Sequence, residues 1–272
     1  MQLWFNDRML PQWKNAGKIV IGMLHLPPLP GAPLYKNDLK EIREAMLRDA
    51  EVLVAGGVHG LMIENFGDIP FFPDRVPAHV VAHMTAIATA VRAKFDIPLG
   101  VNCLRNDGRS ALAVAHASGA DYIRVNVLTG ARVTDQGPLS GIAHDLLRDR
   151  ALLRAEHIKI LADVDVKHSA PLAPRPITEE VDDMLERGLA DALVVSGAGT
   201  GKPTDPEKVK IVKAAAKHAP VFLGSGVTPQ TLPALLPHAD GFIVGTYFKR
   251  DGVASNPVDP QRVSALMREI TF

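Results

Sequence analysis

The stretch IKILADVDVKHS, residues 158–169, decides how the rest of the chain is read. Ile158 to Val166 form a short apolar run rich in β-branched residues, which favours a strand over a helix. Its first half is apolar on both faces, as expected of a strand buried on both sides in a parallel sheet. Charge begins only near its end. There Asp163, Asp165 and Lys167 recur at every second position, and residues two apart in a strand share a face. The reading therefore predicts two carboxylates and an ammonium stacked at one end of a buried strand.

Seven further runs of this kind are spaced along the chain: KIVIGML (18–24), GLMIEN (60–65), IPLGVN (97–102), YIRVNV (122–127), ALVVSG (192–197), VFLGSG (221–226) and GFIVGT (241–246). Segments of helical period separate them, over 38–57, 77–94, 107–118 and 139–155, then from Thr204, from Pro229 and over 259–270. Asp38 with Glu41 makes a capping-box-like start, and Gly56-Gly57 a stop. Thr204-Asp205-Pro206-Glu207 supplies an N-cap, an early proline and a capping glutamate. Eight strands alternating with helical segments, with no linker or low-complexity break, predict a single-domain (β/α)8 TIM barrel over residues 1–272. Residues 1–17, with Trp4 and Trp13, are expected to close its bottom. The rival, a doubly wound open sheet, would carry a glycine-rich turn after the first strand, where this chain has HLPPLPG.

The composition, 47% hydrophobic and 22% charged, excludes a disordered chain. Thirty basic residues balance thirty acidic ones, leaving no electrostatic footprint for nucleic acid or anionic lipid. Cys103 is the single cysteine, so no intramolecular disulfide can form, which suits a reducing compartment. The start, MQLWFNDRML, lacks the basic-then-apolar pattern of a signal peptide. No segment reaches the roughly 18 consecutive apolar residues of a membrane span. These features predict a cytoplasmic protein, and a homo-oligomer is compatible with them.

In TIM barrels the reactive groups lie at the C-terminal ends of the strands. Here those ends carry His25, Glu64-Asn65, Asn102, Arg124 with Asn126, and Asp163-Asp165-Lys167-His168, so five strands direct polar groups to one mouth. Strand ends are also where polar residues reach water, which is the plainer reading of any one of them. In the second half, GAGTGKPTD (197–205), GSGVTP (224–229) and VGTYFKRDG (244–252) are glycine-rich turns. Backbone N–H groups at such turns, aided by helix dipoles, bind anions, and barrels often place a phosphate after strands seven and eight. Gly199, Gly201, Ser225, Gly226, Gly245 and Thr246 are the expected phosphate contacts. GAGTGKP is not a nucleotide P-loop, because Ser196 and Pro203 stand where Gly and Ser or Thr are required. His79 and His83 lack the glutamate of a zinc-binding H-E-x-x-H helix and are read as surface residues. PPLP (27–30) is read as a stiff rim loop.

Together these stretches resemble the BtpA family, also called BtpA/SgcQ. IGMLHLPPLPGAP (21–33), ENFGDIPF (64–71), VNCLRNDG (101–108), YIRVNVLTGARVTDQG (122–137), DVDVKHSAPL (163–172) and GTYFKRDG (245–252) carry the similarity. The resemblance implies an aldolase-type TIM barrel. It also brings a historical role in photosystem I biogenesis, and an association of other members with sugar transport that suggests small-metabolite enzymology. It implies no settled reaction.

The charged strand end admits three chemical readings beside a purely structural one. Lys167 is an imine-forming or proton-transferring amine, although nearby carboxylates favour its charged form. Alternatively Glu64, Asp163 and Asp165 hold Mg²⁺ or another divalent cation, with Asn102 and Asn126 as neutral ligands. In the third, Lys167 is a fixed cation opposite a developing enolate or oxyanion, with an aspartate as general base. His25 is a further acid–base candidate. Asn65, Arg105, Arg124, Asp135 and His168 are expected to contact substrate. The expectation is an enzyme of isomerase or lyase type on a phosphorylated sugar or nucleotide-like molecule. A non-catalytic assembly factor and a metal-dependent hydrolase on the same barrel are the alternatives. No motif demands a cofactor.

Overall fold

The computed structural model describes residues 9–36, 38–197 and 199–270. Eight parallel strands close into a barrel: β1 (Ile19–His25), β2 (Gly60–Glu64), β3 (Leu99–Asn102), β4 (Tyr122–Val125), β7 (Lys159–Val164), β9 (Ala192–Val195), β10 (Val221–Leu223) and β11 (Gly241–Val244). They stand in that order around the ring, and β11 returns to β1 through the Ile19–Gly241 to Gly22–Val244 register. The fold is the TIM barrel expected from the sequence.

Alternation along each strand divides the apolar residues into two cores. Ile21, Met23, Met62, Leu161, Val194 and Ile243 pack in the barrel interior, over Trp13 at the bottom. Val20, Leu24, Leu61, Ile123, Ile160 and Leu193 face the surrounding helices. Trp13 lies 5.2 Å from the Tyr122 ring and 5.9 Å from Phe222, and its Nε1 donates to the His59 carbonyl at 2.7 Å. Gly100 makes room for this plug, since a Cβ there would sit 2.0 Å from the Tyr122 ring. The bottom is therefore closed, as expected for Trp13, while Trp4 lies outside the described residues.

Eight α-helices cover the barrel among the described residues: α1 (Leu39–Ala55), α2 (Ala78–Lys94), α3 (Gly108–Ser118), α4 (Ala143–Leu152), α5 (Ile177–Asp182), α6 (Pro206–Ala215), α7 (Leu232–Leu235) and α8 (Pro260–Ile270). The caps follow the sequence signals. Asp38 accepts from the Glu41 N–H at 2.8 Å, and Asp205 accepts from the Glu207 N–H at 3.0 Å. In α1 the buried Ile42, Met46, Ala50 and Leu53 recur every three or four residues, the period of one helix face. Burying each large member of that stripe contributes about 1.5–3 kcal/mol. Asp49 lies on the same face and forms a buried ion pair with Lys249 at 2.5 Å.

Two expectations are corrected. The helix expected over 139–155 begins only at Ala143, because the residues before it belong to a small antiparallel sheet. This sheet joins β5 (Ala131–Thr134), β6 (Gly137–Ser140) and β8 (Ser169–Pro171) in the order β6-β5-β8. It is formed by the loops that follow β4 and β7. The second correction concerns the charged strand. Its ladder ends at the Val164–Val195 pair, and Asp165 has φ +55°, so the chain turns and the two-residue alternation stops there. Asp163 and Asp165 consequently do not share a face.

Candidate active site

Above the apolar interior, the same inward positions become polar. Asp163, nearly inaccessible, accepts from Arg124 Nε at 3.0 Å and Nη2 at 3.1 Å, and from Asn126 Nδ2 at 2.6 Å. Glu64 Oε2 accepts from Asn102 Nδ2 at 2.6 Å, while its Oε1 lies 3.8 Å from His25 Nε2. His25 Nδ1 is 3.2 Å from the Ala254 carbonyl, and its ring stacks on Phe66 at 4.4 Å. Burial lowers the His25 pKa to about 4, only partly opposed by Glu64. The imidazole is therefore neutral near neutral pH. A carbonyl can only accept, so Nδ1 carries the proton and Nε2 presents a lone pair towards Glu64. Two acceptors 3.8 Å apart form no direct bond and leave room for a shared donor.

Lys167 reaches the same floor and has no carboxylate within ion-pair distance among the described residues. Desolvation, reinforced by the Arg124 charge and opposed by Glu64 and Asp163, lowers its pKa to about 8. Arg105 Nη2 donates to the Lys167 carbonyl at 2.5 Å and braces the loop.

Two adjoining cavities meet over this floor, both lined by Glu64, Arg124, Lys167 and Thr200. The first, about 150 Å³, is walled by the glycine turns: Gly201, Gly224, Ser225, Gly226, Gly245 and Thr246. The backbone N–H groups of Ser225, Gly226 and Thr246 donate no hydrogen bond within the described chain. Arg262, from α8, adds a cation to this end and stacks 4.6 Å over Tyr247. Gly245 is required by its neighbour, since a Cβ would lie 2.7 Å from His25 Cε1. The second cavity, about 410 Å³, has Phe66, Ile69, Phe71 and Leu104 on its walls, with Arg105, Asn126, Asp135 and His168.

Most of the expected residues thus converge: His25, Glu64, Arg105, Arg124, Asn126, Lys167, His168 and Asp135 line the cleft. Asn102 and Asp163 support it from below through Glu64 and Arg124. Three others do not join it. Asp165 is held on the rim by Arg132 and Lys208, away from Asp163 and Lys167. Asn65 holds the loop after β3, accepting from the Leu104 N–H at 2.7 Å and donating to Asp68 at 3.3 Å. Gly199 packs against His168 rather than lining either cavity.

The expected metal set does not assemble. Asp163 is committed to Arg124, Asp165 lies elsewhere, and no group of three or more His, Cys, Asp or Glu is placed to hold a metal among the described residues. Asp163 is likewise unsuited as a general base, because both its oxygens face cationic or amide donors. Arg262, Thr200 and the aromatic wall were not anticipated. A phenylalanine two residues beyond a strand end, as Phe66 is after β2, was the available signal.

A family model described as the BtpA family matches residues 16–271. An uncharacterized protein from Thermococcus kodakarensis, TK2179, is 48% identical over 250 residues, covering 92% of this chain and 94% of that one. The photosystem I biogenesis protein BtpA of Synechocystis is 45% identical over 248 residues, covering 91% of this chain and 86% of its own. Among solved structures, phosphoribosyl anthranilate isomerase from Thermus thermophilus aligns with a TM-score of 0.58 at 13% identity, over 93% of this chain and 98% of that one. KGPDC from Streptococcus mutans aligns at 0.58 and 15% identity, over 93% and 97%. At such identities the likeness shows the fold.

Proposed function

Because the chain belongs to the BtpA family and its barrel mouth is a polar cleft with a glycine-walled end, we propose that it is an isomerase- or lyase-type enzyme acting on a phosphorylated small molecule. The observation that carries this reading is that Glu64, Lys167, Arg262 and glycine turns with unbonded N–H groups line one cavity. A dianionic phosphate fits that end, held by backbone donors and one guanidinium.

With the phosphate anchored there, the reacting atoms lie over Glu64 and Lys167. Glu64 is the base, oriented by Asn102, and Lys167 is the acid or fixed cation opposite the oxygen on which charge develops. Its pKa of about 8 leaves it mostly protonated at neutral pH yet able to give up a proton. Neutral His25, presenting Nε2, accepts from a substrate hydroxyl lying between itself and Glu64. Asp163 acts through Arg124 and holds it in place. Phosphoribosyl anthranilate isomerase from Thermus thermophilus uses the same fold for an isomerisation, which supports this class of chemistry by analogy of fold only.

The name of the Synechocystis relative favours a second reading, a non-catalytic factor in complex assembly. Mass spectrometry of small molecules retained by the purified protein separates the two. The enzyme reading expects a phosphorylated metabolite enriched in Glu64→Gln, turned over by wild type and left unchanged by Lys167→Met. Absence of any phosphorylated ligand, together with no binding of inorganic phosphate, would overturn it.

A further inference from the structure

Taking the phosphate end as proposed above, the second cavity is larger than a short sugar phosphate needs and differs in character. Phe66, Ile69, Phe71 and Leu104 give its wall an apolar stretch, beside the polar Arg105, Asn126, Asp135 and His168, and a polyol chain would leave that stretch unused. Phe66 is not a loose rim residue, since its ring is fixed by stacking on His25 at 4.4 Å.

The polar atoms of this cavity give a second, independent indication. Asn126 is 2% exposed, and its Nδ2 is spent on Asp163, which as a carboxylate can only accept. Its Oδ1 therefore remains an acceptor, and it is buried with no partner. Arg105 is 4% exposed, and its Nε is a buried donor with no partner. Buried polar atoms are rarely left unmatched in a native protein, and each one that is calls for an explanation such as a functional role. Both residues line this cavity, so a group lying there that offers a donor and an acceptor would match the two unpaired atoms.

We infer that the substrate carries, opposite its phosphate, a planar heterocyclic ring with an N–H donor and an acceptor on its edge, so that it is nucleotide-like rather than a simple sugar phosphate. The ring is taken up by Phe66, Phe71 and Leu104, and its edge by Asn126 and Arg105. The sugar spans the Glu64–Lys167 floor that both cavities share.

The test is calorimetric titration of the intact protein with ribose 5-phosphate, adenosine, inorganic phosphate and four 5′-mononucleotides (AMP, GMP, CMP, UMP). At least one mononucleotide is expected to bind about tenfold tighter than ribose 5-phosphate. Phe71→Ala should remove that preference and leave ribose 5-phosphate affinity unchanged. Phe71 is a half-buried loop residue, so the variant should remain folded. Saturation-transfer NMR on wild type gives a second readout, with transfer expected to be strongest at the ring protons. Equal affinity of ribose 5-phosphate and all four mononucleotides, or transfer confined to the sugar protons, overturns the inference and spares the phosphate site. A nucleoside binding as tightly as its monophosphate, without competition from phosphate, supports the ring site and overturns the phosphate end. No binding by any probe overturns both.

Discussion

Asp163→Asn and Asp165→Asn, two residues apart, should have very different consequences. The Arg124 and Asp163 side chains are 2% and 0% exposed, and Arg124 has no second acidic partner among the described residues. Replacing the carboxylate by an isosteric amide leaves a buried guanidinium uncompensated, which costs about 3–5 kcal/mol. For a domain of this size each kcal/mol moves Tm by about 2–4 °C, so a fall of roughly 6–20 °C is expected. Asp165 is 39% exposed at its side chain, and both of its pairs are screened by solvent. Arg132 also keeps Glu180 at 3.2 Å and Ser169 at 2.9 Å. Losing two such pairs costs about 0.5–2 kcal/mol, a Tm fall of roughly 1–8 °C and smaller than that of Asp163→Asn in the same melt. Calorimetric melts of both variants beside wild type provide the assay. Equal losses, or a larger loss for Asp165→Asn, would refute the assignment of one carboxylate to the buried floor and the other to the rim.

Three further outcomes follow from the site. His25 has a pKa of about 4 in the fold against 6.5 when unfolded, so the unfolded chain binds the extra proton first. Stability should fall by about 3 kcal/mol as pH drops from 6.5 to 4, and urea melts of His25→Gln should lack this component. Lys167 has a folded pKa of about 8, lowered from 10.5. The destabilisation from burying its ammonium is full below pH 8 and relieved between 8 and 10.5, so stability should rise over that range; melts in which Lys167→Met keeps the same rise count against the buried, charged Lys167. Gly245→Ala puts a methyl 2.7 Å from His25 Cε1 and should destabilise by about 1–3 kcal/mol and weaken phosphate binding, whereas an unchanged Tm shows that the turn is looser than described.

Much of this was legible in the sequence. Eight apolar runs with polar ends defined the barrel and its mouth, because burial on both faces leaves a signal that does not depend on distant partners. Asp165 was misplaced for a physical reason: the two-residue period holds only while the ladder lasts, and pairing stops at Val164. The cap sheet was missed although Thr134 and Gly137 flank a two-residue turn, Asp135-Gln136. Its strands have only four residues or fewer, and Pro138 argues against a strand unless it lies at an edge, as β6 does. The aromatic end of the cleft comes from the loops after β2 and β3, whose pairing across the mouth has no local sequence period.

The buried ion pair between Asp49 and Lys249 joins residues 200 positions apart and lies beside the seam where β11 meets β1. During synthesis, β1 and α1 leave the ribosome long before either partner exists. Until Val244 is made, β1 presents an unpaired edge, the kind of surface that invites pairing with another chain. Until Lys249 follows, α1 carries an unmatched carboxylate on its apolar face. The segment from β11 onward therefore acts as a clasp, and a ribosome stalled before it would release an open, adhesive sheet rather than a smaller barrel. Translation errors that truncate this chain before Val244 should thus burden chaperones more than equally large truncations at solvent-exposed loops of proteins whose sheets close early.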